Sequence, residues 1–504
     1  MKTLSLVATL ILSQVLDSGT MVTLMAAEKD QANRQGTDAR YATTSSIADY
    51  VRRAGKPYQG EMRVIRPSAL PGGIPCKRIQ VGLRMGYKPN VRQLSTGELI
   101  MVNFHTHGET QGASDGSVAE HMVIHRSKDN GLTWTSKHVR HVYGREPYLN
   151  VLSHDVMLAT GHVLASDVNN PTKKVTCVIH RSTDGGTTWK THPITPGMLP
   201  FENLTRTYSS RNIIELPDGT YMLGMSGFHG RDCIMLSKDQ GLTWEAHKTT
   251  FHGYDMPSYV YSAYQEGLLY RMPEGRLLLF ARMTPRIMTF TQEIKGLADL
   301  SKLGEADKHF DQFDVEIIFE SKDNGVSWDP VNGIPLVGCM YPSVIPLGDH
   351  KHLLTFTKRV PGDGLRMGVY ATVLTEKRDR SFSVTLDKDL IVIDEKTDDA
   401  FQTGGGFGNT LPLDDGSLIS VYSYYHVDDD IAQLLKSGKF KEKNVFNYYR
   451  NRALGYNPTW VAGCSEQSYL RAGDRLKRHM FLGCCQLLNL CGPVTEVAKW
   501  DFPN

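Results

Sequence analysis

The sequence carries almost no net charge. Its 504 residues hold 56 Lys and Arg against 54 Asp and Glu, a formal net charge of +2. A dedicated nucleic-acid binder usually has a strong basic excess, so this balance argues against that class. Hydrophobic residues make up 40% and charged residues 22% of the chain, which excludes a disordered tail protein, a collagen-like chain and a polytopic membrane protein.

Long hydrophobic runs are also missing. No segment reaches the roughly 18 apolar residues that a membrane-spanning helix needs. A shorter apolar run, Leu4 to Leu16, follows the basic Lys2 and precedes small residues that end at Ala27. This order is typical of a secretory signal peptide, which we predict at 1–27. We therefore expect a secreted, periplasmic or otherwise extracytoplasmic protein with no transmembrane anchor, and a retained membrane anchor is the alternative.

Cysteine is sparse for a disulfide scaffold, with eight residues in the chain. Cys177 and Cys233 lie in apolar, strand-like runs, so we predict that they are buried as small hydrophobic residues. No CxxC pair or HExxH motif is present, and we predict neither a metal nor a cofactor. Four of the cysteines crowd the C-terminal end: Cys464, Cys484, Cys485 and Cys491.

Four copies of the pattern S-x-D-x-G-x-[ST]-W are the main internal signal. In each copy the Asp can accept backbone N–H groups across a tight turn, and the Gly supplies a positive φ. The Trp is then expected to pack between neighbouring layers of the structure. These boxes are therefore predicted to be structural hairpins rather than catalytic segments. Their aspartates are Asp129, Asp184, Asp239 and Asp323.

A second repeat, of apolar runs around a glycine turn, alternates with the first. Its predicted turn glycines are Gly97, Gly161, Gly219, Gly275 and Gly416, with Gly348 in a degenerate fifth copy. Short strands at regular spacing with periodic Gly and aromatic motifs indicate a β-propeller. We predict an all-β fold, a six-bladed β-propeller with the Asp-box hairpins outside and the other hairpins lining the centre.

The repeats also divide the chain. The propeller is predicted over 76–427, after a lead-in at 28–75. An insertion near 284–313 has spaced apolar residues and helix formers, which favours a short helical lid. The blade pattern is absent from 428–490, which we interpret as an insertion or, equally, as a gene-model error. Residues 491–504 are again strand-like and are interpreted as a closing strand.

The boxes resemble the Asp boxes, or BNR repeats, of the sialidase (neuraminidase) superfamily, over roughly 80–430. The resemblance implies a six-bladed propeller that removes a terminal acidic sugar from a glycan, an exo-α-sialidase type of glycosidase. In that family three arginines bind the substrate carboxylate, a Tyr activated by a Glu is the nucleophile, and an Asp is the acid/base. Asp boxes are weaker evidence for function than for architecture, because other propellers carry them.

The resemblance assigns roles to individual residues. Glu266 precedes the inner strand of blade four and Arg282 ends its hairpin, which matches the activating glutamate and the second arginine. Arg366 stands where a further arginine opens the outer hairpin of blade five. Asp115 lies on the loop that leaves blade one and is the implied acid/base, with Glu120 as an alternative.

Two positions depart from the family pattern. Lys88, in Tyr-Lys-Pro, replaces the first arginine, so Lys88 or the nearby Arg84 would have to substitute. A lysine binds a carboxylate as a point charge and not as a fork, which would weaken or alter the binding. Phe407 stands where the family has its nucleophilic tyrosine. The candidate replacements are Tyr341, at the equivalent place in blade five, and Tyr422, Tyr424 and Tyr425.

Histidines form a competing constellation in blades one and two: His105, His107, His121 and His154. Because histidine is an acid or base near neutral pH, a related propeller enzyme could cleave a uronide or rhamnoside by hydrolysis or elimination. A further hypothesis is a non-catalytic glycan-binding propeller that lacks the nucleophile. The match of Glu266 and Arg282 favours the sialidase-like enzyme, with a glycan and no nucleic acid as its partner.

Overall fold

The part of the chain that the structure describes is all-β. In this computed structural model it comprises residues 57–81, 86–107, 119–165, 167, 169–170, 172–204, 206–227, 231–255, 263–284, 289–290, 293–303, 313–360, 362–395, 406–426 and 492–503. Its helical parts are short 3₁₀ turns at Ser153–Asp155, Pro196–Met198 and Leu300–Lys302. Within these ranges we find no helix with the length and hydrophobicity to cross a bilayer. The predicted signal peptide and the 428–490 stretch lie outside the described residues.

Three four-stranded antiparallel sheets follow two N-terminal strands, β1 (Tyr58–Ile65) and β2 (Gly73–Val81). Each of these sheets keeps its strands in sequence order. The first sheet holds β3 (Gly86–Gln93), β4 (Leu99–His107), β5 (Ala119–Ser127) and β6 (Thr135–Tyr143). The second holds β7 (Arg145–Leu152), β8 (Val156–Val163), β9 (Thr176–Ser182) and β10 (Lys190–Ile194). The third holds β11 (Tyr208–Glu215), β12 (Tyr221–Ser226), β13 (Asp232–Ser237) and β14 (Glu245–Lys248).

The fourth sheet is interrupted by the region in which a helical lid was expected. Strand β15 (Thr250–Phe251) pairs in parallel with β21 (Ser327–Gly333), the outer strand of this sheet. Strand β16 (Tyr254–Asp255) pairs with β19 (Thr289–Phe290). The described part of that region holds β19 and the 3₁₀ turn Leu300–Lys302, and no longer helix. The main strands of the sheet are β17 (Leu268–Arg271), β18 (Leu277–Met283), β20 (Val315–Ser321) and β21 (Ser327–Gly333).

The remaining strands form one ten-stranded sheet built from two four-stranded groups. The fifth group holds β22 (Cys339–Gly348), β23 (Lys351–Lys358), β24 (Gly368–Glu376) and β26 (Leu390–Glu395), with β25 (Phe382–Val384) beside β24. The sixth group holds β27 (Asn409–Pro412), β28 (Leu418–His426), β29 (Gly492–Trp500) and the N-terminal strand β2. Strand β1 joins the two groups, because it pairs with both β2 and β26. The end of the chain is thereby tied to its beginning.

Buried polar side chains connect the first strand of one group to the first strand of the next. Asn90 Oδ1 accepts the N–H of Leu149 at 2.9 Å, and Asn150 Oδ1 accepts that of Ile213 at 2.9 Å. The same contact recurs from Asn212 to Leu269 at 2.8 Å, from Ser343 to Thr410 at 3.2 Å and from Asn409 to Val91 at 2.8 Å. Because a buried N–H must be paired, these bonds order the first strands around a common centre. The last of them returns from the sixth group to the first sheet.

The hydrophobic core lies between successive groups. Shared clusters join the first and second sheets, the second and third, the third and fourth, and the fourth sheet and fifth group. A further cluster joins the sixth group to the first sheet through Ile419, Val421, Leu99 and Met101. The tryptophans of the four boxes pack against these clusters, which confirms their predicted role, and Trp328 is completely buried. Cys177 and Cys233 are buried as predicted.

The Asp boxes form the hydrogen-bonded turns that the sequence predicts. Asp184 Oδ1 accepts the N–H of Thr188 at 2.9 Å and the hydroxyl of Ser182 at 2.7 Å. Gly186 adopts φ 78° and accepts the indole N–H of Trp189 at 3.0 Å. Burial acts to raise the pKa of Asp184, but the hydrogen bonds from Thr188 and Ser182 outweigh it and hold the pKa at about 2.

One predicted glycine turn was wrong. Gly161 lies inside strand β8 and has no positive φ, whereas Gly97, Gly219, Gly275, Gly348 and Gly416 have positive φ as expected. The turn of the second sheet is at Ser153–Asp155, where His154 and Asp155 take the left-handed conformation instead of a glycine. Asp155 accepts the N–H of Ser95, between β3 and β4 of the first sheet, at 2.9 Å, and this bond stabilises the turn.

Removing one box aspartate should lower stability without changing the chemistry of the protein. We expect Asp184→Ala to lower the free energy of unfolding by about 1–3 kcal/mol, because the donors of Thr188 and Ser182 lose their acceptor. Thr183→Ala, at a variable position of the same box, is the matched control. Chemical denaturation of both variants measures the difference. Loss of activity in Asp184→Ala with an unchanged midpoint of unfolding would contradict a structural role.

Candidate active site

A cavity of about 330 Å³ lies where the first strands of the six groups converge. Each group contributes at least one side chain to its wall, in chain order Lys88, Glu146, Arg211, Glu266, Tyr341 and Phe407. Five of these residues lie near or just before the starts of β3, β7, β17, β22 and β27, and Arg211 lies in the middle of β11. The cavity is therefore assembled from all six groups of strands and not from any one repeat.

Irregular backbone at these strand starts directs the side chains inward. The pairing register shifts near Lys88 in β3, Glu146 in β7 and Tyr341 in β22, as β-bulges do. Lys88, Glu146, Glu266 and Tyr341 all have positive φ, between 51° and 60°. Such values are uncommon for residues other than glycine and are found at functional sites, where the surrounding structure maintains them.

An ion-pair network crosses the cavity floor. Lys88 Nζ lies 2.5 Å from Glu266 Oε1 and 2.8 Å from Glu146 Oε2. The guanidinium of Arg282 contacts the other oxygen of Glu266, and its Nε donates to Asp314 Oδ2 at 2.6 Å. Buried charges are stable only when paired in this way, so the network holds both cations in defined positions.

The network also sets protonation states. Burial lowers the pKa of Lys88 to about 8, against the opposing charge of Glu146. Burial acts to raise the pKa of Glu146, but the charges of Lys88 and Arg145 and the hydrogen bond from Lys88 act together with His162 to lower it to about 2. Lys88 is therefore a cation near neutral pH that loses its proton in mildly alkaline solution, and Glu146 stays ionised.

Cations outnumber carboxylates around the cavity. Five cationic side chains line it: Lys88, Arg145, Arg211, Arg282 and Arg359. The lining carboxylates are three, Glu146, Glu266 and Asp314. Burial lowers the pKa of His162, also in the wall, to about 4, so its imidazole is neutral. The wall carries an excess of positive charge, which favours an anionic ligand.

Aromatic side chains form one side of the cavity. The rings of Tyr341 and Phe407 meet edge to face, with centroids 5.2 Å apart, and Tyr87 packs against Phe407 at 5.9 Å. The Arg211 guanidinium lies 4.0 Å from the centre of the Tyr341 ring. Burial raises the pKa of the Tyr341 hydroxyl, although Arg211 acts to lower it, so this phenol is neutral at physiological pH.

A buried carboxyl group lies behind the wall. Glu316, on β20 opposite Arg282, is 1% exposed. Burial raises its pKa to about 8, against the charges of Arg211 and Arg282. Glu316 is therefore protonated at neutral pH, and it is close enough to Arg211 and Arg282 to respond to charge changes in the cavity.

The raised pKa of Glu316 predicts a pH-dependent stability. From about pH 4.5 to about pH 8 the folded state keeps a proton that the unfolded chain releases, so the free energy of unfolding falls as the pH rises. We expect Glu316→Gln, which stays neutral, to remove this fall and to raise Tm relative to the original protein at pH 8. Thermal unfolding of both proteins across this range measures the effect. Parallel Tm profiles would show that Glu316 does not titrate there.

The structure brings together three of the residues that the resemblance singled out. Lys88, Glu266 and Arg282 share the cavity, with Tyr341 and Phe407 beside them. Arg366 is exposed, and it does not line the cavity. Asp115 and Arg84 lie outside the described residues, as do the side chains of His107, Tyr424 and Tyr425.

The other candidates lie elsewhere. Glu120 is buried on β5 and pairs with Arg145 at 2.9 Å, one layer behind the wall. Tyr422 is buried in the sixth group, where its hydroxyl accepts from Arg78 at 2.5 Å. His154 is exposed in the turn of the second sheet. His105 contacts His121 and His138, outside the cavity wall.

Sequence reasoning missed Glu146, Arg211, Asp314 and Arg359. The sequence did contain a signal for Glu146. A proline follows it, as a proline also follows the candidates Lys88 and Tyr341. Proline has no N–H to pair, which suits the unpaired position of a bulge at a strand start. The remaining three stand in ordinary strand or loop sequence, and only the ring of strands places them at the cavity.

Comparisons with known proteins give likenesses of structure alone. No family model matches the chain, and no curated protein matches it in sequence. Solved structures that resemble it include the NanB sialidase from Streptococcus pneumoniae, at 13% identity and a TM-score of 0.47, covering 70% of this chain and 67% of that one. The Hadza microbial sialidase Hz136 matches at 16% identity and a TM-score of 0.44, covering 69% and 66%.

The leech intramolecular trans-sialidase matches at 12% identity and a TM-score of 0.45, covering 69% of this chain and 65% of that one. The chain thus spans about two thirds of the length of these structures. At such identities no activity or residue role is transferred from them. The function therefore has to be argued from the cavity itself.

Proposed function

We propose that the six groups form a six-bladed β-propeller and that its central cavity removes a terminal acidic sugar from a glycan, as an exo-α-sialidase does. The belt of side-chain hydrogen bonds from Asn90 to Asn409 and the return of the core to the first sheet support the propeller. Six first strands then surround one cavity, which is where propellers bind their ligands.

The observation that carries the proposal is the cationic excess of a cavity that also has an aromatic side. A sugar carboxylate is attracted by Lys88, Arg211 and Arg282, while Tyr341 and Phe407 make part of the cavity wall apolar. A volume of about 330 Å³ is at the small end of ligand pockets and accommodates one sugar unit. An exo mode, at the end of a glycan, follows from that size.

Arg282 is the proposed carboxylate anchor. Asp314 and Glu266 fix its guanidinium on two sides, so that little entropy is lost when substrate binds. Arg211, which lies over the Tyr341 ring, is the proposed further carboxylate-binding arginine, the role that the resemblance gave to Arg366. Lys88 contributes a point charge in place of the first arginine of the family.

Tyr341 is the proposed nucleophile. Its phenol oxygen would attack the anomeric carbon, the glycosidic C–O bond would break, and water would later release the sugar. A neutral phenol approaches an anionic sugar without the repulsion that a carboxylate would meet. Glu266, which shares Lys88 with Glu146, keeps the proposed role of accepting the phenol proton, and Asp115 that of protonating the leaving oxygen.

A second candidate is elimination at a uronide whose C4 oxygen carries the next sugar, and His162 favours it. A neutral imidazole in the wall can remove the C5 proton, next to the sugar carboxylate, and the cations would stabilise the resulting enolate. The bond between C4 and its glycosidic oxygen then breaks, the next sugar leaves as an alcohol when that oxygen takes up a proton, and the uronide keeps a C4–C5 double bond. The non-catalytic glycan-binding hypothesis remains the third, because Phe407 stands at the family position of the nucleophile.

One set of assays separates the three. The full chain is incubated with fluorogenic sialosides and uronides and with oligosaccharides that contain a 4-linked uronide. Hydrolysis is followed by fluorescence, and elimination by the ultraviolet absorbance of an unsaturated uronide. Release of free sialic acid supports the proposal, and an absorbing product supports elimination. Binding of an acidic sugar without turnover supports the lectin-like hypothesis. Absence of both binding and turnover across the panel would reject this cavity as an acidic-sugar site.

A further inference from the structure

Three histidines from three neighbouring strands of the first sheet meet on one face. His105 of β4 lies directly opposite His121 of β5, and His138 of β6 pairs with Val123, two residues further along β5. One nitrogen from each imidazole lies within 4.8 Å of the other two. The ring centroids are 5.5, 5.1 and 5.1 Å apart, nearly an equilateral triangle.

The triangle is compact enough to close around one ion. Metal–nitrogen bonds of about 2.0–2.1 Å place the nitrogens of a tetrahedral site about 3.3 Å apart. His121 Nε2 and His138 Nδ1 are already 2.8 Å apart, so these two imidazoles share a proton that a metal ion would replace. The imidazole nitrogens therefore lie near the separation that one metal ion requires.

A second cavity adjoins the triangle. It measures about 170 Å³ and is lined by Gly86, Asn103, His105, Val123, His125, Ser136 and His138. None of these residues lines the proposed active-site cavity. A water molecule occupies about 30 Å³ of liquid volume, so a fourth ligand, such as water or a small anion, fits beside an ion here.

We propose that His105, His121 and His138 form a binding site for a divalent transition-metal ion, with Zn²⁺ as the favoured ion. The fourth coordination position of the ion would be open to this second cavity. Three imidazole nitrogens without a carboxylate suit Zn²⁺ or Cu²⁺ and not Mg²⁺ or Ca²⁺, which require oxygen ligands. A bound ion would tie β4, β5 and β6 together. The proposal does not depend on the function proposed for the central cavity.

The proposed site departs from the expectation of no metal, and the reason lies in the spacing. The three histidines lie on three consecutive strands and far apart in sequence, so no short motif such as HExxH is formed. Antiparallel pairing alone brings them together, since it places residues of neighbouring strands opposite each other.

The test uses the full chain, freed of metal with a chelator, and Zn²⁺ alone as the probe. Isothermal titration is expected to show one equivalent bound, and Tm to rise with the Zn²⁺ concentration by linkage. Because the late cysteines could bind Zn²⁺ themselves, the titration is repeated with Cys464, Cys484, Cys485 and Cys491 changed to Ser. Binding that persists in this variant is expected.

His138→Gln is the informative variant, since His138 is only half-buried and its loss should not prevent folding. In the variant that lacks the four late cysteines it should weaken Zn²⁺ binding at least about tenfold, the loss caused even by changes around metal ligands. His154→Ala, at an exposed histidine, should leave binding unchanged. Co²⁺ should give the absorption of a tetrahedral nitrogen site, which His138→Gln should remove. Failure of the protein without the four late cysteines to bind stoichiometric Zn²⁺, or equal affinity in His138→Gln, would overturn the proposal.

Discussion

Arg282→Ala is expected to lower turnover of the acidic glycoside by about two orders of magnitude or more. The guanidinium supplies a fixed positive charge at the cavity, and its removal also leaves Asp314, 3% exposed, without this partner. Arg282→Lys should restore little, because an ammonium group cannot contact Glu266 and Asp314 in the same planar arrangement and also bind a carboxylate in a bidentate manner. The measurement is kcat/KM per folded molecule, at a temperature well below Tm.

Arg366→Ala is the matched control for this experiment. Arg366 is an exposed arginine that does not line the cavity, so its removal should leave kcat/KM unchanged. Near-normal kcat/KM in Arg282→Ala, or equal losses in the two variants, would contradict the assignment of Arg282 as the carboxylate anchor. Loss of sugar binding in Arg282→Ala from a protein without turnover would instead support a lectin-like site.

Tyr341→Phe is expected to reduce kcat by about 10²–10⁴-fold with a small change in KM. The substitution keeps the ring that packs against Phe407 and removes only the hydroxyl. The neutral state of this phenol means that the loss should appear at every pH at which the protein is folded. Measured rates with activated and unactivated leaving groups would show whether formation of the covalent intermediate is the step affected.

Tyr370→Phe controls for the removal of a buried tyrosine hydroxyl. Tyr370 is fully buried in the fifth group, and its hydroxyl donates to the carbonyl of Arg366 at 2.7 Å, away from the cavity. This variant should lose stability and keep its turnover. If Tyr341→Phe retains the original kcat, Tyr341 is not the nucleophile, and elimination with His162 becomes the mechanism to test.

Sequence reasoning was most successful where a few consecutive residues form the structure. In each Asp box, the acceptor, the donors and the glycine lie within eight residues, so the turn can be predicted without knowledge of the rest of the chain. The glycine turns follow the same logic, and the exception is instructive. At Ser153–Asp155 the left-handed residues are His154 and Asp155, supported by Ser95 of the neighbouring sheet, so Gly161 was a false signal.

The candidate site was predictable only in part. Lys88, Glu266 and Arg282 emerged from a family resemblance, and the structure gathers them in one cavity. Their partners Glu146 and Asp314 did not emerge, because an ion pair between distant strands has no signature in the sequence around either residue. Arg366 was assigned from its position in a hairpin, but its side chain is exposed.

By itself, the sequence determined the all-β character, the four box turns, five of the six predicted glycine turns and the burial of Cys177 and Cys233, since each depends on local hydrogen bonds, allowed φ values or local hydrophobicity. Tertiary structure decided which charges share the central cavity and which histidines meet on the first sheet. The physical reason is that both sites are assembled from residues of separate strands, whose bulges and pairing registers direct the side chains to a common point. That direction is set by the pairing and packing of separate strands, and no single segment contains it.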